Sequence, residues 1–261
     1  MAIPLDYNER DASPHLQPKL QAIEKVWSSQ SDKNAEHLIL PDGRSDFILK
    51  FDKDENGKPT SIIPIIAGPS CSWWISSSLP NQGFVGIRFR PGLGGAFFGL
   101  PLTSIAGRAF VGEDALALAP KLAVLCQPTN DVDTLIDRLE IFFAKHQIPT
   151  LSPAIKSVID DIHRSGGRTP IQVLAKKNGI TSRTLARNFL KKVGISPKVF
   201  AAVIRFHYTL KLIKAGLTIQ RAAAEAGYAD QAHMTRDFRR FGGFTPGNIP
   251  HDVTLIDLPF P

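Results

Sequence analysis

The stretch "NGITSRTLARNF", residues 178–189, decides how the second half of the chain is interpreted. Its glycine is typical of the left-handed residue that ends a helix. Thr181 then supplies a hydroxyl that can cap a second helix. That second helix has an apolar face, and its opposite face carries Arg183 and Arg187. The stretch therefore predicts a helix, a glycine turn and a second helix with a positively charged outer surface.

The same arrangement recurs 48 residues later in the chain. Two sets of residues share a spacing of four and four: Ile171, Ala175, Gly179 and Ile219, Ala223, Gly227. A cap candidate follows each glycine, Thr181 in the first copy and Asp230 in the second, and each second helix contains an Arg-x-Phe sequence. Thr169 before Pro170 is a further cap candidate for the first copy. The repeat predicts two helix-turn-helix units, at about 169–193 and 218–241.

The residue types of the repeat suit binding to DNA. Ala175 and Ala223 are small enough for the second helix to cross closely over the first, and glycine accepts the positive φ of the turn. Arginine can bind guanine with two hydrogen bonds, and glutamine can bind adenine. The predicted outer faces carry Arg183, Arg187 and Lys191 in the first unit, and Ala232, Arg236 and Arg239 or Arg240, flanked by Gln231, His233 and Thr235, in the second.

Charge is divided unevenly along the chain. Residues 151–261 hold 17 lysines and arginines against 7 acidic residues, whereas residues 1–150 hold 14 against 17. The asymmetry indicates that only the second half meets a polyanion. Charge alone fits a solvated basic surface equally well, so the helix-turn-helix repeat decides for double-stranded DNA.

The first half of the chain has a different pattern, that of short β-strands. "EHLILPDGRSDFILKFD" has two apolar runs around Pro41–Gly43 and predicts a hairpin; "SIIPIIAGPSCSWWISSS" and "FVGIRFR" predict further strands, and "PGLGGAFFGLPLTSIAG" short helical turns. The overall prediction is an α+β protein, with a β-rich barrel or sandwich at 1–147 and an all-α domain at 152–249. Residues 250–261 form an apolar tail.

A helix is predicted over 132–146, with Asp131 or Asp133 as its cap. The helix has more apolar surface than one side of a helix needs to pack on the core of its own domain. The residues that provide it are Leu135, Leu139, Phe142 and Phe143. This excess predicts a weak homodimer through the helix. The alternative is that all four side chains pack inside the monomer.

Residues 152–249 resemble the DNA-binding domain of the AraC/XylS family of bacterial transcription regulators. The resemblance rests on "GITSRTLARNFLKKVGISPKVF" and, more specifically, on "IQRAAAEAGYADQAHMTRDFRRFGGFTP". It implies two helix-turn-helix subdomains joined by a linker helix at about 197–214. The DNA contacts that it implies fall on Arg183, Ala186 and Arg187, and on Gln231, Ala232, His233 and Arg236. Met234 and Ala186 depart from the commoner residues, and His207 and Tyr208 are bulkier than is usual in the linker helix.

The first half is similar to the N-terminal domain of a subgroup of AraC-like regulators, through "LPDGRSDFIL", "AGPS", "VGIRFRPG" and "FFGLPLTSIAGR". That resemblance implies a domain for sensing or dimerisation, without naming a ligand. It leaves open a small-molecule effector, a homodimer and a contact with RNA polymerase as further interactions. The expected protein is a transcription regulator and not an enzyme.

An enzymatic or thiol-reactive first half fused to a DNA-binding module is the alternative. It requires Cys71 to be an exposed thiol with a low pKa that accepts alkyl groups. A metal site is not expected, because residues 1–150 hold only three widely spaced histidines, and no cofactor motif is present. Two cysteines, no signal-peptide pattern and no long apolar run indicate a cytoplasmic protein without a membrane partner.

Overall fold

The computed structural model describes residues 6–14, 21–146, 150–251 and 253. It divides into two compact units. Unit 1 is made of residues 1–37, 44–68 and 75–150, and unit 2 of residues 38–43, 69–74 and 151–261. The boundary is predicted between residues 147 and 152; residues 147–149, and most of the tail at 250–261, lie outside the described residues.

The first half of the chain is built on antiparallel strands. The strands are β1 (Asp6–Arg10), β2 (Ile23–Ser31), β3 (Ala35–Ile39), β4 (Ser45–Lys53), β5 (Pro59–Ala67), β6 (Trp74–Ser78), β7 (Gln82–Phe89) and β8 (Ala109–Val111). Six of them form one sheet in the order β1-β2-β7-β4-β5-β8, while β3 and β6 form a separate two-stranded sheet. Together with the helices of unit 2, this confirms the α+β class.

One face of the six-stranded sheet carries the core of unit 1. Alternate residues of β4 and β7 point into it and are fully buried: Phe47, Leu49, Phe51, Val85, Ile87 and Phe89. The segments packed between and after the strands are α1 (Gly94–Phe98), α2 (Leu102–Ile105), α3 (Glu113–Leu118), a 3₁₀ helix (Pro120–Cys126) and α4 (Val132–Ala144). The glycine-broken helical turns predicted for residues 91–107 are therefore present as α1 and α2.

Helix α4 faces inward, which removes the basis of the predicted homodimer surface. Asp131 caps it by accepting a hydrogen bond from the Thr134 backbone N–H at 2.6 Å. Leu135, Leu139 and Phe143 are fully buried in the core of unit 1. The Phe143 ring lies 5.6 Å from that of Phe47 and 5.5 Å from that of Phe89, between ring centroids. Three of the four proposed dimer residues thus pack inside the monomer, because the open face of the sheet needs this apolar cover.

The predicted hairpin around Pro41–Gly43 is wrong. Strand β3 pairs with β6, and β4 pairs with β5 and β7. The hairpin turn lies instead at Asp54–Gly57, where the Asp54 carboxylate accepts from the backbone N–H groups of Asn56 and Lys58, each at 2.9 Å. Gly57 adopts a φ of +77° in this turn. Asn56-Gly57 is a strong hairpin signal, and Pro41–Gly43 belongs to unit 2.

Unit 2 is helical, as predicted. Its helices are α5 (Pro153–Arg164), α6 (Ile171–Lys177), α7 (Ser182–Val193), α8 (Pro197–Lys214), α9 (Ile219–Glu225) and α10 (Gln231–Gly242). Helix α8 has the bounds expected of the linker helix, and it contacts α5, α7, α9 and α10. Thr169 does not cap α6: the helix is preceded by Pro170 without a side-chain cap, and the Thr169 N–H donates to the Ser165 hydroxyl.

Candidate nucleic-acid interface

The first helix-turn-helix unit consists of α6, a glycine turn and α7. Ala175 is buried at the end of α6, and Gly179 adopts a φ of +66°. The Ile180 N–H donates to the Ala175 carbonyl at 3.1 Å across the turn, which satisfies a carbonyl that the helix end leaves open. Thr181 then caps α7 by accepting from the Thr184 N–H at 3.1 Å.

The second unit repeats this geometry with α9 and α10. Gly227 adopts a φ of +71°, and the Tyr228 N–H donates to the Ala223 carbonyl at 3.0 Å. Asp230 caps α10 by accepting from the His233 N–H at 2.6 Å. The repeat found in the sequence is therefore a repeat of backbone conformation and of hydrogen bonds.

The apolar stripes of both second helices face inward. All six residues of these stripes are fully buried: Leu185, Phe189 and Val193 in α7, and Met234, Phe238 and Phe241 in α10. Met234, a departure from the commoner family residue, thus fills a core position. Burying one face of each helix turns the other face to solvent.

Most of the predicted DNA-contacting residues lie on the outer faces. The exposed ones are Arg183, Arg187 and Lys191 in α7, and Gln231, Ala232, Arg236 and Arg240 in α10. The half-buried ones are Ala186, His233 and Thr235. The His233 ring packs edge-on against the Tyr228 ring at 5.2 Å between centroids, so its orientation is constrained.

The outer faces are positively charged because the acidic side chain of α10 turns inward. Helix α7 contains no Asp or Glu, and Asp237 is the only one in α10. Asp237 is buried and accepts from the Arg205 guanidinium of α8 at 3.2 Å. Arg205 also lies 4.5 Å from the centre of the Tyr228 ring. Burial, with the Asp237 charge adding to it, raises the pKa of Tyr228 above its ordinary value, so this ring stays neutral.

A second contact set, also of an arginine, an acidic residue and a tyrosine, joins Arg168, which follows α5, to Glu225 of α9 and Tyr208 of α8. Arg168 donates from Nη1 to the Glu225 carbonyl at 3.0 Å, and its guanidinium lies 5.2 Å from the centre of the Tyr208 ring. Neither set of contacts was predicted from the sequence. An acidic residue inside an otherwise basic helix, as Asp237 is, was the available signal, since such a residue needs a partner on a neighbouring element.

The cysteines and the side chains that could bind a metal bear on the alternative of a thiol-reactive or enzymatic first half. Cys71 and Cys126 are free and half-buried, and burial raises the pKa of Cys126. Cys71 is thus less exposed than the alternative predicted. Within residues 6–14, 21–146, 150–251 and 253, no group of three or more His, Cys, Asp or Glu side chains could hold a metal ion. In those same ranges no helix is both long and apolar enough to cross a membrane.

Comparison with known families matches both units. The helix-turn-helix domain family HTH_18 matches residues 174–249, and a domain of unknown function, DUF6597, matches residues 9–110. The HTH-type transcriptional regulator RipA of Corynebacterium glutamicum is 31% identical over 101 residues, which are 39% of this chain. The chain spans only 30% of the length of that relative.

Among solved structures, a probable AraC family transcriptional regulator from Rhodopseudomonas palustris is 29% identical, with a TM-score of 0.33 over 36% of this chain and 92% of its own. ToxT from Vibrio cholerae is 13% identical, with a TM-score of 0.41 over 94% of this chain and 97% of its own. Both TM-scores lie below 0.5, so the assignment rests on the domain families. The chain carries a helix-turn-helix domain at residues 174–249, preceded by a domain of unknown function at residues 9–110.

Proposed function

We propose that the protein is a sequence-specific DNA-binding transcription regulator of the AraC type, with α7 and α10 as its recognition helices. The observation that carries the proposal is the pair of exposed basic helix faces, each held outward by a fully buried apolar stripe. Two such helices on one linker helix would enter successive major grooves on one side of a duplex. Arg187 and Arg236 read bases, while Lys191 and Arg240 lie toward the far ends of their helices and grip phosphates.

Unit 1 would serve effector sensing or self-association. Its similarity to a domain of unknown function supports no particular ligand. Mass spectrometry of small molecules that co-purify with the full chain, compared with a mock purification without it, would identify an effector. Sedimentation of the full chain at tens of micromolar, an order of magnitude chosen for weak association, would test for a dimer. If no small molecule is enriched with the full chain and the chain sediments as a monomer, both roles are refuted.

DNA binding is tested by selecting sites from random duplex with the full chain. We expect one enriched sequence, bound more tightly than a scrambled duplex, with an affinity that falls steeply between about 50 and 200 mM salt because phosphate contacts release counterions. Lys121→Ala is the charge control, since it removes an exposed positive charge from unit 1. It should leave the affinity unchanged, whereas Arg236→Ala should reduce it. No enrichment after selection, or equal losses from the two variants, would contradict the proposal.

A further inference from the structure

Unit 2 contains a segment from far upstream in the sequence, Leu38–Gly43. Its last four residues are buried: Leu40, Pro41, Asp42 and Gly43. The sequence predicted a hairpin turn here. A turn on the surface would not bury four consecutive residues, so the segment has a structural role inside the helical unit.

One end of the segment lies against the aromatic residues beneath the first recognition helix. A Cβ atom added at Gly43 would lie 2.6 Å from Cδ2 of Phe200, on α8, so the backbone is in direct contact with that ring. Phe200 is fully buried, and its ring centroid is 5.6 Å from that of Phe189 in the apolar stripe of α7. Gly43 therefore contacts Phe200, and Phe200 in turn packs against Phe189 of α7.

The other end lies in the core beneath the second recognition helix. Leu40 belongs to the same buried cluster as Phe206 of α8 and Phe238 and Phe241 of α10. Between the two ends, Nε2 of His207 is 2.8 Å from the carbonyl oxygen of Pro41. Because a carbonyl only accepts, Nε2 carries the proton and donates it. His207 is only 1% exposed, so water does not compete for this hydrogen bond.

We propose that Leu38–Gly43 is a brace on the linker helix that sets the spacing of the two recognition helices. It touches the packing of α7 at one end and that of α10 at the other, and it is hydrogen-bonded to α8 between them. The inference rests on the proposed function, since spacing matters only if both helices enter DNA together. Without the brace, α8 loses the cover over Phe200 and the acceptor of His207, and it can shift relative to both helix-turn-helix units.

Two glycines provide a matched test of the brace. Gly43 and Gly57 have nearly the same positive φ, +71° and +77°, so alanine meets similar backbone strain at both. They differ in their surroundings, because a Cβ atom at Gly57 has nothing within 4 Å. Gly43→Ala should therefore displace the segment from α8, and Gly57→Ala should reproduce the strain alone.

A second pair of variants keeps the test usable if Gly43→Ala folds poorly. His207→Leu removes the donor to Pro41. His207→Gln keeps an N–H group close to the position of Nε2 and should restore the wild-type behaviour. If His207 only fills space, the two variants should behave alike, because leucine and glutamine have similar volumes.

The first measurement is hydrogen exchange of the full chain without DNA, followed by mass spectrometry. We expect faster exchange in peptides from residues 197–214 for Gly43→Ala and His207→Leu, and wild-type exchange for Gly57→Ala and His207→Gln. Equal exchange in Gly43→Ala and Gly57→Ala would overturn the brace, whether or not the protein binds DNA.

The second measurement compares affinity for the selected duplex with affinity for the same duplex carrying one extra base pair between the two groove sites. Wild type should prefer the selected spacing strongly. Gly43→Ala should bind the selected duplex on the order of tenfold more weakly and should lose most of that preference. An unchanged preference would overturn the proposal even if α8 exchanged faster. Absence of DNA binding by wild type would instead refute the proposed function, while the exchange data would still decide the brace.

Discussion

Arg205 of the linker helix donates from Nη2 to Oδ2 of Asp237 in α10, at 3.2 Å, with both side chains largely buried. The pair attaches the second recognition helix to α8, and it also removes the negative charge of Asp237 from the face that would meet DNA. A single contact thus stabilises the helix packing and leaves the outer face of α10 positive.

We expect Asp237→Ala to lower the free energy of unfolding by about 2–3 kcal/mol, because it leaves the Arg205 charge in a largely buried position without its carboxylate. Urea denaturation of the full chain measures the effect. Glu225→Ala is the matched control: the Arg168–Glu225 ion pair has the same chemistry but is much more exposed. An exposed pair contributes about 0–1 kcal/mol, so a loss from Glu225→Ala as large as that from Asp237→Ala would refute the assignment.

Base contacts and phosphate contacts should come from different residues of α7. Arg187→Ala should reduce the preference for the selected site over random duplex by roughly 1–3 kcal/mol, since it removes a base contact with two hydrogen bonds. Lys192→Ala, at an exposed position in the last turn of α7, should weaken all duplexes alike and lower the salt slope by about one unit. Fluorescence anisotropy over a salt series measures both. If the two variants lose the same affinity on both kinds of duplex, the reading face has been assigned wrongly.

The two recognition helices should also require one face of the duplex. Inserting about five base pairs, half a helical turn, between the two groove sites rotates one site to the opposite face. We expect specific binding to be lost. An insertion of about ten base pairs restores the face but lengthens the distance between the sites, and the buried packing of α8 prevents the helices from spanning it. Binding should therefore not recover fully on that duplex. Gel-shift titration of the three duplexes measures this. Undiminished binding after the half-turn insertion would mean that only one helix reads DNA.

In unit 1, stability should depend on the ionisation of Glu140. Its side chain is almost fully buried and accepts from Arg10 at 3.1 Å and from the Ser13 hydroxyl at 2.6 Å. Burial by itself would raise the pKa of Glu140, but these hydrogen bonds outweigh it and hold the pKa below its ordinary value. The stabilisation is therefore present above the unfolded pKa, about 4.3, and is lost as the pH falls through the lower folded value.

We expect the free energy of unfolding of wild type to fall more steeply between about pH 5 and pH 3 than that of Glu140→Gln, which has no charge to lose at this position. At neutral pH the variant should be less stable by about 1.5–3 kcal/mol, the contribution of hydrogen bonds to a charged group. Denaturant unfolding at a series of pH values measures both. Parallel pH profiles for the two proteins would show that Glu140 does not contribute through its charge.

The sequence by itself determined the two helix-turn-helix units, because the signals there are local. Glycine at the helix ends, Thr181 and Asp230 as caps, and apolar residues three or four apart define the two helix-turn-helix units without reference to distant residues. The linker helix was placed by family resemblance, and α8 has the implied bounds. The outward direction of Arg183, Arg187 and Arg236 followed from the same periodicity, whereas their contacts with DNA stay predictions.

The tertiary structure decided the features that depend on distant partners. Strand β4 pairs with β5 and β7, and not with β3 as the Pro41–Gly43 turn suggested, because pairing is chosen by which apolar faces meet across the sheet. The same holds for α4, because only the tertiary structure shows that Leu135, Leu139 and Phe143 pack in the core of unit 1. The burial of Leu40–Gly43 against α8 has no local signature in the sequence. The acidic residue in α10 indicates that Asp237 needs a partner, but only the tertiary structure shows that the partner is Arg205.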